Sequence, residues 1–203
     1  MILARTFVCT VFFAVFVLFS PAGYAKTATG GHSSSGGSQP ARSNDVTFSS
    51  GYAWGELKRN DDIRIIPFSA RVGIDINEFA GLRGPNTLQL GIEPFVNTII
   101  EPDEGIEAGL NIGFRYIAPL TGGISVFGEI SSGPAYLSID TVEQGDAGFN
   151  FISQFGAGFL FALSNDVVFN AGYRFRHLSN ANLSSPNAGI DTNYLVTGFS
   201  FTY

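Results

Sequence analysis

Charge is scarce in this 203-residue chain. Asp, Glu, Lys and Arg make up 14% of it, against about 25% in an ordinary soluble domain. A fully hydrated outer surface is hard to build from so little charge. Basic residues are the scarcer sign, 11 against 17 acidic. No basic run of the kind that holds nucleic acid is present. There is one cysteine, Cys9, and it lies near the N-terminus. The remainder of the chain therefore has no disulfide framework, and its fold must close by hydrogen bonding and packing. A long apolar run is missing as well. A membrane-spanning helix needs about 20 apolar residues, and no segment beyond the first 25 offers them.

The N-terminus reads as a processing signal. Arg5 precedes an uncharged, mostly apolar stretch from Thr6 to Tyr24, and Gly23 and Ala25 supply small residues three and one before Lys26. That order is a Sec signal peptide over 1–25. The apolar core, Phe7 to Phe19, is short for a helical anchor, and Cys9 stands before it rather than at its end, unlike a lipoprotein cysteine. Without Arg5 the rest carries 10 basic and 17 acidic residues, a net of −7. Residues 26–44 are rich in Gly and Ser, which reads as a flexible tether.

From Val46 the pattern changes to period two. Eight candidate strands follow, over about 47–58, 63–75, 87–99, 107–117, 123–132, 147–163, 166–179 and 193–203. Each sorts its residues onto two faces. In the sixth, Phe149, Phe151, Phe155, Phe159 and Phe161 oppose Asn150, Gln154, Gly156 and Gly158. In the seventh, Phe169, Ala171, Tyr173 and Phe175 oppose Asn170, Gly172, Arg174 and Arg176. The polar face is short of lysine and long in glycine and single charges of both signs. A soluble sandwich would rarely put such a face in water. A membrane barrel does the reverse, with apolar side chains toward lipid and small or polar ones inside. The expected fold is an eight-stranded antiparallel transmembrane β-barrel over 45–203. Eight strands leave a lumen filled by side chains rather than a pore. Arg71, Glu93, Arg115 and Glu129 are expected to neutralise one another there. The C-terminal Phe199-Ser200-Phe201-Thr202-Tyr203 resembles the terminal signal of outer-membrane barrels.

Chemistry concentrates in the last hairpin. His177 is the one histidine of the strand region, since His32 falls in the tether. Ser179, two residues on, shares its face. That face carries Phe169, Tyr173 and Phe175, so both side chains should point outward. Asp191 stands in the odd register of Leu195 and Phe199 and can meet the same face across the hairpin. With both termini on the periplasmic side, the seventh strand runs outward and sets the three at the outer-leaflet interface. A serine becomes a nucleophile when a base takes its proton. Imidazole can be that base, and a carboxylate can orient it. From spacing alone two readings stand open: a catalytic group, or interfacial polar residues in an external loop.

His177-x-Ser179-Asn180-Ala181, followed by Asn187-x-Gly189 and an acid at 191, resembles the active-site signature of the PagL family of lipid A 3-O-deacylases. The resemblance is specific over 173–191 and architectural elsewhere. It implies Ser179 as nucleophile, His177 as base, Asp191 as the acid that orients it, and Asn180 as an oxyanion donor. The family usually has Glu where this chain has Asp191, one methylene shorter. The implied activity is hydrolysis of the 3-position ester of lipid A, with release of a 3-hydroxy fatty acid and no metal or other cofactor. The implied setting is the Gram-negative outer membrane after Sec export, with lipid A and outer-membrane lipids as partners, no nucleic acid, and a homodimer as a candidate assembly. The alternatives are a non-catalytic structural or adhesive barrel and a soluble lipocalin-like carrier.

Overall fold

The computed structural model describes residues 44–58 and 62–203; the expected signal peptide, and the tether up to residue 43, lie outside the described residues. Nine strands run in order: β1 Asp45–Glu56, β2 Asp62–Ile66, β3 Phe68–Asp75, β4 Thr87–Glu101, β5 Gly105–Pro119, β6 Ile124–Leu137, β7 Gly148–Ala162, β8 Val167–Ser179 and β9 Ile190–Thr202. All pairings are antiparallel, each strand from β3 onward pairs with the next, and β1 pairs with β9. The sheet therefore closes into a ring and leaves no free edge.

The ring has eight staves, as its sequence pattern predicts. β2 and β3 both lie between β1 and β4, and their registers against β1 are continuous, Ala53 with Ile65 and Ser50 with Phe68. Pro67 interrupts this stave because proline has no N–H for the ladder. Pro134 has a milder effect. The fifth expected strand ends at about 132. Here β6 runs on to Leu137, its pairing to β5 lapses at Gly133 and Pro134, and it resumes in the same register at Ala135.

Odd and even positions separate as the alternation requires. Phe149, Phe155, Phe159, Ile130, Leu195 and Phe199 are exposed on the outer wall. Gln89, Asn97, Asn111, Asn150, Gln154 and Asn170 are buried inside. The interior charges are paired. Arg174 bridges Glu93 and Glu129, and Arg115 binds Glu129 at 2.7 Å. Arg71 does not join this chain as the sequence reading expected. It pairs with Asp45 at 3.3 Å, and Gly73 and Gly91 leave room for its guanidinium. Arg176 meets Glu107 at 2.7 Å and stacks over Tyr194. Four arginines thus face four carboxylates, which removes the cost of an unpaired buried charge.

One part of the lumen is not polar. Ile63, Ile65, Ile99, Leu137, Ile152, Leu178 and Ile190 form an apolar plug at the end opposite the termini. Two of them, Leu178 and Ile190, are inward-facing positions of β8 and β9, whose outward faces carry the last hairpin's polar groups. Burying each aliphatic side chain contributes about 1.5–3 kcal/mol. The end above the plug carries the connections 102–104, 138–147 and 180–189. The termini and the connections 76–86, 120–123 and 163–166 lie at the other end. Connection length alone does not distinguish the ends, because 76–86 is one residue longer than 180–189; the position of the termini does.

Candidate active site

β8 and β9 place the three side chains. Leu178 lies between His177 and Ser179 and is 4% exposed; Ile190 precedes Asp191 and is also 4% exposed. Both point into the apolar plug. Alternation then forces His177, Ser179 and Asp191 to the outer wall. His177 and Asp191 are direct cross-strand partners, and His177 Nδ1 lies 2.6 Å from Asp191 Oδ1. The pair is about half exposed, 47% and 61% for the two side chains. An ion pair so exposed stabilises the fold by at most about 1 kcal/mol. Its consequence is orientation: with Nδ1 held by the carboxylate, Nε2 is the ring nitrogen left to act as a base.

The imidazole is fixed from above as well. Gly189 has φ +77, and a Cβ built on it would overlap the His177 ring at Cε1, Nε2 and Nδ1. Only glycine combines that backbone with that approach. Gly189→Ala should therefore displace the ring while leaving the barrel intact. Displacements of about 1 Å at a reacting group cost on the order of a hundredfold. We expect kcat to fall roughly tenfold to a hundredfold, with heat-modifiable gel migration unchanged; a variant with wild-type kcat would remove Gly189 from the site.

Two serines flank His177. Ser179 is two residues on along β8, about 7 Å away along the strand, and Phe151 is its partner on β7. Ser153 on β7 is the direct cross-strand partner of His177. Their hydroxyls differ. Ser132 Oγ donates to the Ile152 carbonyl at 2.7 Å. Its proton is thus committed, so in the 3.1 Å contact with Ser153 it accepts. The Ser153 proton then goes to Ser132. No hydrogen bond engages the Ser179 hydroxyl among the described residues. Ser179 is the serine whose proton is free for a base, and gaps of this kind commonly close when substrate binds.

Asn180, expected as an oxyanion donor, is 2% exposed and is the hub of the loop. Its backbone N–H donates to Gln144 Oε1 and Asn187 Oδ1, each at 3.0 Å. Its amide donates to Ser184 Oγ and the Pro186 carbonyl, each at 2.9 Å. Every one of its donors is thus engaged, within the loop or to Gln144. Gln144 and Glu143 come from the β6–β7 connection. Glu143 takes the Ala188 N–H on its carbonyl and the Lys58 N–H on its carboxylate. These two residues tie three connections together, and sequence reading missed them because the contacts are distant along the chain. Ser132 and Ser153 were missed too, although a hydroxyl in the outward register of two otherwise apolar strands was a legible signal. Among the described residues no cluster of three or more His, Cys, Asp or Glu side chains is placed to hold a metal ion.

A closed eight-stave ring with an apolar outer wall and a charge-paired interior defines an outer-membrane β-barrel. Comparison with solved structures agrees. The neisserial surface protein A has a TM-score of 0.58 at 13% identity, covering 79% of this chain and 97% of its own. The outer-membrane enzyme PagL has a TM-score of 0.55 at 20% identity, covering 76% of this chain and 97% of its own. No curated protein matches. The model of the lipid A 3-O-deacylase (PagL) family matches residues 77–200. The chain belongs to that family, which makes it a lipid A deacylase of the outer membrane.

Proposed function

We propose that this barrel hydrolyses the ester at the 3-position of lipid A through an acyl-Ser179 intermediate. The observation that carries this reading is the 2.6 Å His177–Asp191 contact on the outer wall, with an unengaged serine two residues on. Polar catalytic groups facing lipid are costly and persist where they serve function. His177 Nε2 takes the Ser179 proton as Oγ attacks the ester carbonyl carbon. The imidazolium, held by Asp191, returns that proton to the sugar oxygen as it leaves. Water activated by the same nitrogen then releases the 3-hydroxy fatty acid. With the termini in the periplasm after Sec export, the site lies at the outer-leaflet interface, where the ester itself lies.

Mass spectrometry of lipid A from cells expressing the chain tests the position cleaved. The expected result is loss of one 3-hydroxyacyl group from the 3-position. Loss from another position, or none with the barrel inserted, would overturn it. Asp191 has its own test. Asp191→Asn keeps the size but favours the wrong imidazole tautomer, a change that costs up to about 10⁴ in buried triads. At this exposed site we expect on the order of a hundredfold lower kcat, with KM little changed. Asp191→Glu, one methylene longer, should retain activity. Equal activity in Asp191→Asn would remove the acid from the mechanism.

A further inference from the structure

The outer wall carries a row of polar side chains that the hydrolysis does not use up. Ser132 on β6, Ser153 on β7, His177 on β8 and Asp191 on β9 are successive cross-strand partners on one face. Around the two serines the wall is apolar: Ile112 faces Ser132 from β5, and Phe151 and Phe155 flank Ser153 along β7. Ile112 and Phe155 are more than half exposed. Hydroxyls in such a band lose the hydrogen bonding that water would give them. A serine pair could simply satisfy itself there, but this pair is only half satisfied. Ser132 donates to the Ile152 carbonyl, and Ser153 donates to Ser132. Both protons are spent in one direction. The lone pairs of Ser153 remain, exposed beside the imidazole and with no donor among the described residues.

We infer that Ser153, oriented by Ser132, accepts a hydrogen bond from the hydroxyl at carbon 3 of the acyl chain being cleaved. This rests on the acyl-Ser179 reading above. Ser153 is the diagonal neighbour of Ser179, since Ser179 pairs with Phe151 two residues away. Such diagonals span about 7–8 Å between backbones. From a carbonyl carbon at Ser179 Oγ, the carbon-3 hydroxyl, two carbons along an acyl chain laid toward β7, is within reach of the gap between the serines. The acyl hydroxyl would donate to Ser153, which already donates to Ser132, which donates to the backbone. The hydroxyl of the substrate thus joins the end of a pre-formed chain of donors, and an acyl group without it leaves Ser153 short of a partner. Sites built around a polar partner reject analogues that lack it.

The test uses the full chain folded in detergent micelles and two glucosamine esters, one carrying 3-hydroxytetradecanoate at O-3 and one carrying tetradecanoate. The wild type should favour the hydroxylated ester in kcat/KM by about tenfold, the worth of one hydrogen bond to a neutral group. Ser153→Ala should bring the ratio toward one. Ser153→Thr, which keeps the hydroxyl, should restore most of it, and Ser132→Ala should give an intermediate ratio by freeing the Ser153 proton to rotate. An unchanged ratio in Ser153→Ala overturns the inference. So does an equal loss on both esters, which would make Ser153 part of the hydrolysis itself. If the folded wild type cleaves neither ester, the acyl-Ser179 reading falls and the Ser153 assignment with it, whereas an unchanged ratio at measurable rates overturns the Ser153 assignment alone.

Discussion

Ser179→Ala should abolish deacylation while the barrel still folds and inserts. The side chain is on the outer wall and its hydroxyl holds no bond within the described residues, so its removal costs the fold little. Its chemistry has no substitute. Loss of a serine nucleophile removes the covalent route, and in serine hydrolases this costs up to about 10⁶ in kcat. We expect at least about a thousandfold here. Ser153 does not rescue it, because its proton is committed to Ser132. His177→Ala should fall to a similar residual rate, and the double variant should be no worse than either single one, as groups that act as a unit are not additive. Rates that multiply in the double variant would mean the two residues act separately.

Arg174→Met should give the largest loss of stability. Arg174 donates to both oxygens of Glu93, at 2.8 and 2.9 Å, and to Glu129 at 2.6 Å. Removing it strands Glu93 inside the lumen and leaves Glu129 to Arg115 alone. Breaking a buried ion pair from one side costs about 3–5 kcal/mol. The midpoint of urea unfolding, followed by gel migration without heating, should fall accordingly. Adding Glu93→Gln to the same chain should recover part of the loss, because the stranded charge is then gone. A double variant less stable than Arg174→Met alone would contradict the account. Deacylation should persist in any fraction that remains folded, since the proposed catalytic residues are placed by β8, β9 and the inward-facing Leu178 and Ile190.

Much of this was legible in the residues because alternation is a strong rule. Phe149 to Phe161 on one side and Asn150 to Gly158 on the other state which face meets lipid, and the same parity puts His177, Ser179 and Asp191 together on the outside. What could not be read depends on partners distant along the chain. Nothing near Arg71 indicates that its carboxylate is Asp45, at the start of β1, rather than Glu93. Pro67 and Pro134 look alike in sequence, yet one breaks its stave and the other lets pairing resume in the same register. The apolar plug was hidden because inward positions were expected to be small or polar, whereas Ile63, Ile99, Leu137 and Leu178 fill them. Asn180 follows Ser179 directly in sequence, but the bonds its donors make, to Gln144, Ser184, Pro186 and Asn187, depend on how the connections fold and could not be read from that position.

The central claim is that Ser179 is a nucleophile activated on the outer wall of the barrel. It is tested most directly by treating the folded protein in micelles with an alkyl fluorophosphonate and mapping the adduct by mass spectrometry. The account predicts one adduct, on Ser179, retained in Ser153→Ala and absent from Ser179→Ala and His177→Ala. An adduct on Ser153, or one that survives in folded Ser179→Ala, would contradict it.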